Sequence, residues 1–290
     1  MALSRLVRAA IVLPRLERSH HAFAKIVSIS PSENSPAKVA IVTGANRGIG
    51  RAIAVRLAAD GFRLILTARD SVLLEETSAE IQKNGGTART IPGDLRDAAL
   101  PEHLVKTALA EYGRVDVLVN NAGATKRGNF LQLTDADWND GFALKFFGAV
   151  RLIRAAWPEL KKNRGSVVNI SGIGGRTPGV EFAIGGSVNA ALLSLTKALA
   201  DQGIADGVQV NTISPGRIKT DRLVKRLATF ASEHRLTPAD AEREMIAQAG
   251  ITRFGEPEEV ADFAAFLVSP QGRFFQGSLV ELDGGETKTI

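Results

Sequence analysis

The stretch VAIVTGANRGIG, residues 39–50, decides the fold. VAIVT (39–43) is a continuous apolar run, as expected of a strand covered on both faces. GIGRAIAVRLAADG follows with apolar residues at helical spacing and stops at Gly61. Between them TGANRGIG (Thr43–Gly50) forms a glycine-rich turn. Gly44 permits a tight turn, and Gly48 and Gly50 let the backbone approach a pyrophosphate. At that point free N–H groups and the helix dipole favour an anion. A glycine-rich turn set between a buried strand and a helix therefore points to a dinucleotide site.

Outward from this unit the same alternation continues. RLILTA (63–68), ARTIPGD (88–94), VDVLVN (115–120), SVVNIS (166–171), VQVNTI (208–213) and LVEL (279–282) read as strands. Helical patterns fill the intervals, including 71–83 and 97–111. Strands separated by helices imply βαβ units with right-handed crossovers. The expected fold is a single α/β doubly wound Rossmann domain with a seven-stranded parallel sheet, over residues 38–290. The widest interval, 214–278, holds a charged helical stretch expected to form a lid at about 217–250, because ligands sit beyond the carboxyl ends of the strands. In EFAIGGSVNAALLSLTKALA (181–200), Ala190, Leu193, Leu195 and Ala198 are expected on the buried side.

The net charge is +5, but residues 1–30 hold Arg5, Arg8, Arg15, Arg18 and Lys25 against Glu17 alone. The rest is within one charge of neutral, and no basic stripe with interleaved aromatics marks a nucleic-acid surface. Residues 1–37 read as an N-terminal extension and linker. The composition of residues 1–30 fits either a mitochondrial transit peptide or an extension without an address, which leaves mitochondrial and cytoplasmic placements open. The apolar runs are strand-sized, so no membrane insertion is expected. Cysteine is absent, which excludes disulfides and thiolate chemistry, and no metal-ligand cluster is evident.

Four motifs together resemble the short-chain dehydrogenase/reductase family, in particular its 3-oxoacyl-carrier-protein reductase-like members. They are TGANRGIG, NNAG (Asn120–Gly123), SPGRIKT (Ser214–Thr220) and DGG (Asp283–Gly285), and the resemblance spans about 38–285. It implies cofactor contacts at Gly44, Asn46, Arg47 and Ile49 on the phosphate turn. It also implies Asp94 and Leu95 at the adenine, Asn121 and Gly123 at the ribose region, and Ile218 and Thr220 at the nicotinamide amide. It further implies a small-molecule substrate and a homodimer or homotetramer. An acidic residue at the end of the second strand would select NAD; here Arg69 stands there with Arg47 nearby, a pair suited to clamp a 2′-phosphate. NADP(H) is the expected cofactor, with Asp70 the one acidic neighbour.

The family's proton donor is a tyrosine activated by a lysine, beside a serine and an asparagine. Those positions align here with Gly185, Asn189, Gly172 and Lys145. The only tyrosine, Tyr112, precedes the fourth strand, at the wrong end of the sheet. Lys197 lies eight residues past Asn189, roughly 12 Å along a helix. Lys145, and less directly Glu181, remain as candidate acids; none of the four histidines forms a dyad near the site. The helix carrying Gly185 and Asn189 is expected to keep the family's local geometry, because AALLSLTKALA keeps its packing face. Two readings follow: an NADP(H)-dependent oxidoreductase acting on a carbonyl or alcohol through an unconventional proton donor, or a nucleotide-binding sensor or assembly subunit without turnover.

Overall fold

The computed structural model describes residues 36–289. The proposed address in residues 1–30 lies outside them, as does all but the end of the linker. Seven strands form one all-parallel sheet: β1 (Val39–Thr43), β2 (Arg63–Thr67), β3 (Thr87–Thr90), β4 (Val117–Asn120), β5 (Ser166–Ile170), β6 (Gln209–Pro215) and β7 (Leu279–Leu282). Their order is β3-β2-β1-β4-β5-β6-β7. The chain moves outward through β3, then returns to the other side of β1, which opens a crevice at the carboxyl ends of β1 and β4.

The helices are α1 (Gly48–Ala59), α2 (Ser71–Lys83), α3 (Leu100–Tyr112), α4 (Asp135–Gly141), α5 (Gly148–Asn163), α6 (Ala183–Asp206), α7 (Asp221–His234), α8 (Pro238–Ala249) and α9 (Pro257–Val268). One face of the sheet is covered by Ile53 and Leu57 of α1 with Val260 and Leu267 of α9. On the other face, Leu104 of α3 and Leu152 and Leu160 of α5 pack over Ile41, Ile65 and Val167. A strand buried on both sides has no polar face, which is why VAIVT and VLVN read as unbroken apolar runs. In the interval expected to be a lid, α7 and α8 share a small core of Leu223, Met245, Ile251 and Phe254.

Two boundaries move for local reasons. β3 stops at Thr90 rather than running to Asp94, although Ile91 and Gly93 still donate to Leu66 and Ala68, which leaves Pro92 on the unpaired side of this edge strand. α3 begins at Leu100 rather than about 97, with Pro101 in its first turn.

The face of α6 needs a larger correction. Ala190 and Ala198 are exposed and Leu195 is only partly covered, whereas Ile184, Val188, Leu192, Leu193 and Ala200 are buried. The buried face also carries Asn189 and Thr196, which apolar periodicity alone rejects. Thr196 belongs inside because a polar ladder satisfies it: Asn169 Nδ2 donates to its Oγ1 at 2.9 Å, and Thr212 Oγ1 lies 2.7 Å away. Asn120 Nδ2 extends the ladder to Asn169 Oδ1 at 2.9 Å. α6 matches a membrane span in length and apolar composition, yet half of its apolar window is buried inside the protein.

Thr196→Val keeps the shape but removes the partner of two buried polar groups. We expect a loss of about 1–3 kcal/mol, and about 2–4 °C in Tm for each kcal/mol in a domain of this size. Thermal melts followed by circular dichroism test this; an unchanged Tm would show that the ladder does not stabilise the sheet.

Candidate functional site

The phosphate turn is closed by contacts too tight for side chains. Gly44 has φ +65° and donates its N–H to Thr67 O at 2.8 Å. A Cβ on Gly50 would stand 2.1 Å from Gly44 O and 2.3 Å from Asn121 Nδ2, so only glycine fits. Asn121 Nδ2 donates to Thr43 O at 3.0 Å and Gly44 O at 3.2 Å. Thr43 Oγ1 accepts from the backbone N–H groups of Asn121 and Ala122, both at 3.0 Å. The side-chain NH2 and the backbone N–H of Asn121 are thus both occupied in bracing the turn. Arg47 sits at the N-cap of α1 without a side-chain hydrogen bond, and the first turn holds no acidic residue. The helix end is left open to an anion.

A cleft of about 1370 Å³ runs from this turn along the carboxyl ends of the strands. Gly44, Asn46, Arg47, Ile49, Arg69, Leu95, Asn121, Gly123, Ile218 and Thr220 all line it, and so does Lys145. Asp94 does not line it. Its carboxylate accepts from Arg96 Nη1 at 3.0 Å, while Arg96 also makes a bidentate pair with Asp140. Arg69 approaches Asp94 only to 3.9 Å and its side chain is largely exposed. Asp70 caps α2, its Oδ1 accepting from Leu73 N at 3.1 Å. Glu181 is exposed and off the cleft wall. Among the described residues no His, Asp and Glu group could hold a metal.

Deeper in the cleft, Lys145 lies on a π-helical turn, Phe142–Phe147, inserted between α4 and α5. Such a turn changes the direction in which side chains leave a helix and recurs at functional sites. Lys145 Nζ donates to Ser171 O at 2.6 Å and to Asn189 Oδ1 at 2.7 Å. Asn189, on α6, is buried. Burial first, and then the charge of Arg222, lower the Lys145 ammonium to about 7.

The neighbouring positions are remodelled. Gly172 has φ +140°, and a Cβ there would lie 3.0 Å from Asn189 Nδ2. A Cβ on Gly185 would come within 2.1 Å of the Phe182 ring, and one on Gly174 within 2.7 Å. Phe182 therefore fills the space above Gly185, with the Arg127 guanidinium 4.2 Å from its ring centre. A tyrosine at position 185 would require the Phe182 ring to move. Phe182 is the N-cap of α6, so its ring lies back over the first turn of its own helix and reaches Gly174 of the preceding segment.

A glycine cradle at the switch point of a doubly wound sheet, with an open helix N-terminus above it, defines a dinucleotide-binding α/β protein. Residues 44–287 match the family described as "Enoyl-(Acyl carrier protein) reductase". The chain is 35% identical over 252 residues to an uncharacterized oxidoreductase of Mycobacterium tuberculosis, covering 86% of this chain and 92% of that one. It is 33% identical over 259 residues to the 3-oxoacyl-(acyl-carrier-protein) reductase of Escherichia coli, covering 87% and 98%. Its fold matches L-sorbose reductase from Gluconobacter frateurii, solved with NADPH and L-sorbose. That match has a TM-score of 0.84 and 30% identity, over 88% of this chain and 98% of that one. The chain belongs to the short-chain dehydrogenase/reductase family of oxidoreductases.

Gly185→Tyr should destabilise the protein by about 1–3 kcal/mol through overpacking, and adding Phe182→Ala should recover part of the loss. Melting temperatures of the two variants test this. A single variant as stable as the unmodified chain would mean that Phe182 moves aside freely.

Proposed function

We propose that this chain is an NADP(H)-dependent oxidoreductase that interconverts a carbonyl and an alcohol, with Lys145 handling the proton. The observation that carries the reading is the setting of the Lys145 ammonium. Two of its N–H groups are fixed by Ser171 O and Asn189 Oδ1, which leaves its third donor for a substrate oxygen. An acid whose pKa lies near the working pH is best suited to general acid–base catalysis, and Lys145 is lowered to about 7. When bound, the nicotinamide supplies the hydride. In reduction Lys145 gives its free proton to the substrate oxygen as the carbonyl carbon is reduced, and the neutral amine then recovers a proton from water. In oxidation the neutral amine takes the hydroxyl proton.

Lys145 and Asn189 also exchange the residue types that the family places on these two helices. The cation is then delivered from the π turn, and the amide on α6 holds it. For the cofactor, the uncapped helix end and the Gly44–Gly50 cradle suit a pyrophosphate. Arg47 and Arg69 suit a 2′-phosphate; Asp70 also lines the cleft, with one carboxylate oxygen directed to the N-terminus of α2.

The pH dependence follows from the lowered pKa. Reduction needs the ammonium, so its kcat/KM should fall as pH rises through a midpoint near 7. Oxidation needs the amine and should rise through the same midpoint. Lys145→Met should flatten both limbs and cost about 10²–10⁴-fold in rate while NADPH binding persists. Unaltered limbs in that variant would overturn the role of Lys145. NADPH binding with no oxidation across a carbonyl panel would favour the non-catalytic reading.

NADPH should bind at least about tenfold more tightly than NADH, or about 1.4 kcal/mol, and Arg69→Ala should remove the preference while sparing NADH. Calorimetry giving equal affinities in the unmodified protein would overturn the assignment of Arg69.

A further inference from the structure

The cleft carries a second feature that neither the phosphate turn nor the proton donor uses. Four arginines converge on it from three separate segments: Arg127 after β4, Arg217 after β6, and Arg222 and Arg226 one turn apart on α7. They stand close enough to repel one another. The Arg127 guanidinium is lowered first by burial, then by Arg226, Arg222 and Arg217. Arg226 is lowered by burial and then by Arg217. Arg222 is lowered by burial and then by Arg47, which puts it at the cofactor end.

Carboxylates balance only part of this charge, with Glu286 on the cleft wall acting on both Arg217 and Arg226. Glu286 pairs with Arg217 at 3.0 Å. Glu181 acts on Arg127 and Arg226 only at a distance, and among the described residues neither makes an ion pair. Arg127 is instead braced over the Phe182 ring, on the ring that covers Gly185. A group of like charges facing each other across a cleft costs stability. Neighbouring segments hold it in place, and its charge is left for something that enters the cleft. The position is informative. Phe182 covers Gly185, Gly185 is one turn before Asn189, and Asn189 holds Lys145 Nζ. An oxyanion held by these arginines would lie on the same side of the cleft as the proton donor.

We propose that the substrate of this site is a small carbonyl or alcohol compound carrying an anionic oxygen group, a carboxylate or a phosphate, bound by Arg127 and Arg226, with Arg217 beside them held by Glu286. This rests on the reading of the cleft as an oxidoreductase site. The guanidinium fork suits either oxyanion by bidentate hydrogen bonds. Such a contact fixes one end of the substrate and presents the carbonyl to Lys145.

The probes are levulinate and its next two homologues, each beside its methyl ester, and dihydroxyacetone phosphate beside dihydroxyacetone. Their affinity for the NADPH-saturated protein is read by calorimetry, without need of turnover. We expect at least one anion to bind about tenfold or more tightly than its neutral partner, the scale of one charge-assisted contact. Arg226→Ala, an exposed change on α7, should remove most of that preference, and Arg226→Glu should reverse it. The preferred pair tells carboxylate from phosphate. Equal affinity within every pair, no binding of any probe, or a preference that survives both Arg226→Ala and Arg127→Ala would overturn the inference. So would turnover confined to acyl-carrier-protein thioesters. Tight anion binding without turnover would keep it and sink the proton-donor reading. Turnover of acid and ester at equal kcat/KM would do the reverse.

Discussion

The structure depends on one close approach: the N-terminus of α1 rests on the crevice between β1 and β4 with no room for a side chain. Gly50 lies against the carbonyl of Gly44 and the amide of Asn121, and that amide in turn holds the carbonyls of Thr43 and Gly44. The first turn of the helix, the end of β1 and the end of β4 are thereby locked together. The open N–H groups of α1 then point into the cleft by construction. Everything that reaches the cleft from farther along the chain, from Lys145 to the arginines of α7, is positioned relative to this fixed corner.

The second constraint is the handling of charge deep in that cleft. A cation placed there must find acceptors or lose its proton. Lys145 does some of both. Ser171 O and Asn189 Oδ1 accept from it, and burial still brings it down to about 7. The π turn matters because a regular helix would send the same side chain off in another direction. Asn189 is tolerated on the buried face of α6 for the same reason as Thr196: each has a partner inside, so burial of the polar group is compensated.

How much of this is legible in the sequence depends on the range of the interaction. The phosphate turn is local, and its glycines are adjacent to the strand and helix that need them, so VAIVTGANRGIG suffices to place it. The parallel sheet follows from unbroken apolar strands alternating with helices, and β1 and β7 fall on their expected residues. The buried face of α6 was not legible, because Thr196 and Asn189 look polar until Asn169, Thr212 and Lys145 arrive from elsewhere. The occupation of the space above Gly185 by Phe182 was not legible either, since a glycine in a helix says only that a side chain is missing. Asp70 is intermediate. An aspartate before SVLLEE is a helix N-cap signal in its own right, and it caps α2 while its charge stays on the cleft wall beside Arg69.

The two unusual features of the cleft are linked by electrostatics. Arg222 contributes to lowering Lys145, and Arg222 is itself lowered by Arg47. A chain of cations therefore runs from the phosphate turn to Lys145. An anion seated anywhere along that chain offsets part of the repulsion and raises the affinity of Lys145 for its proton. On the proposed reading, filling the cleft with anionic cofactor phosphates and an anionic substrate would favour the ammonium, the form needed for reduction. Binding and proton loading would then be coupled through charge.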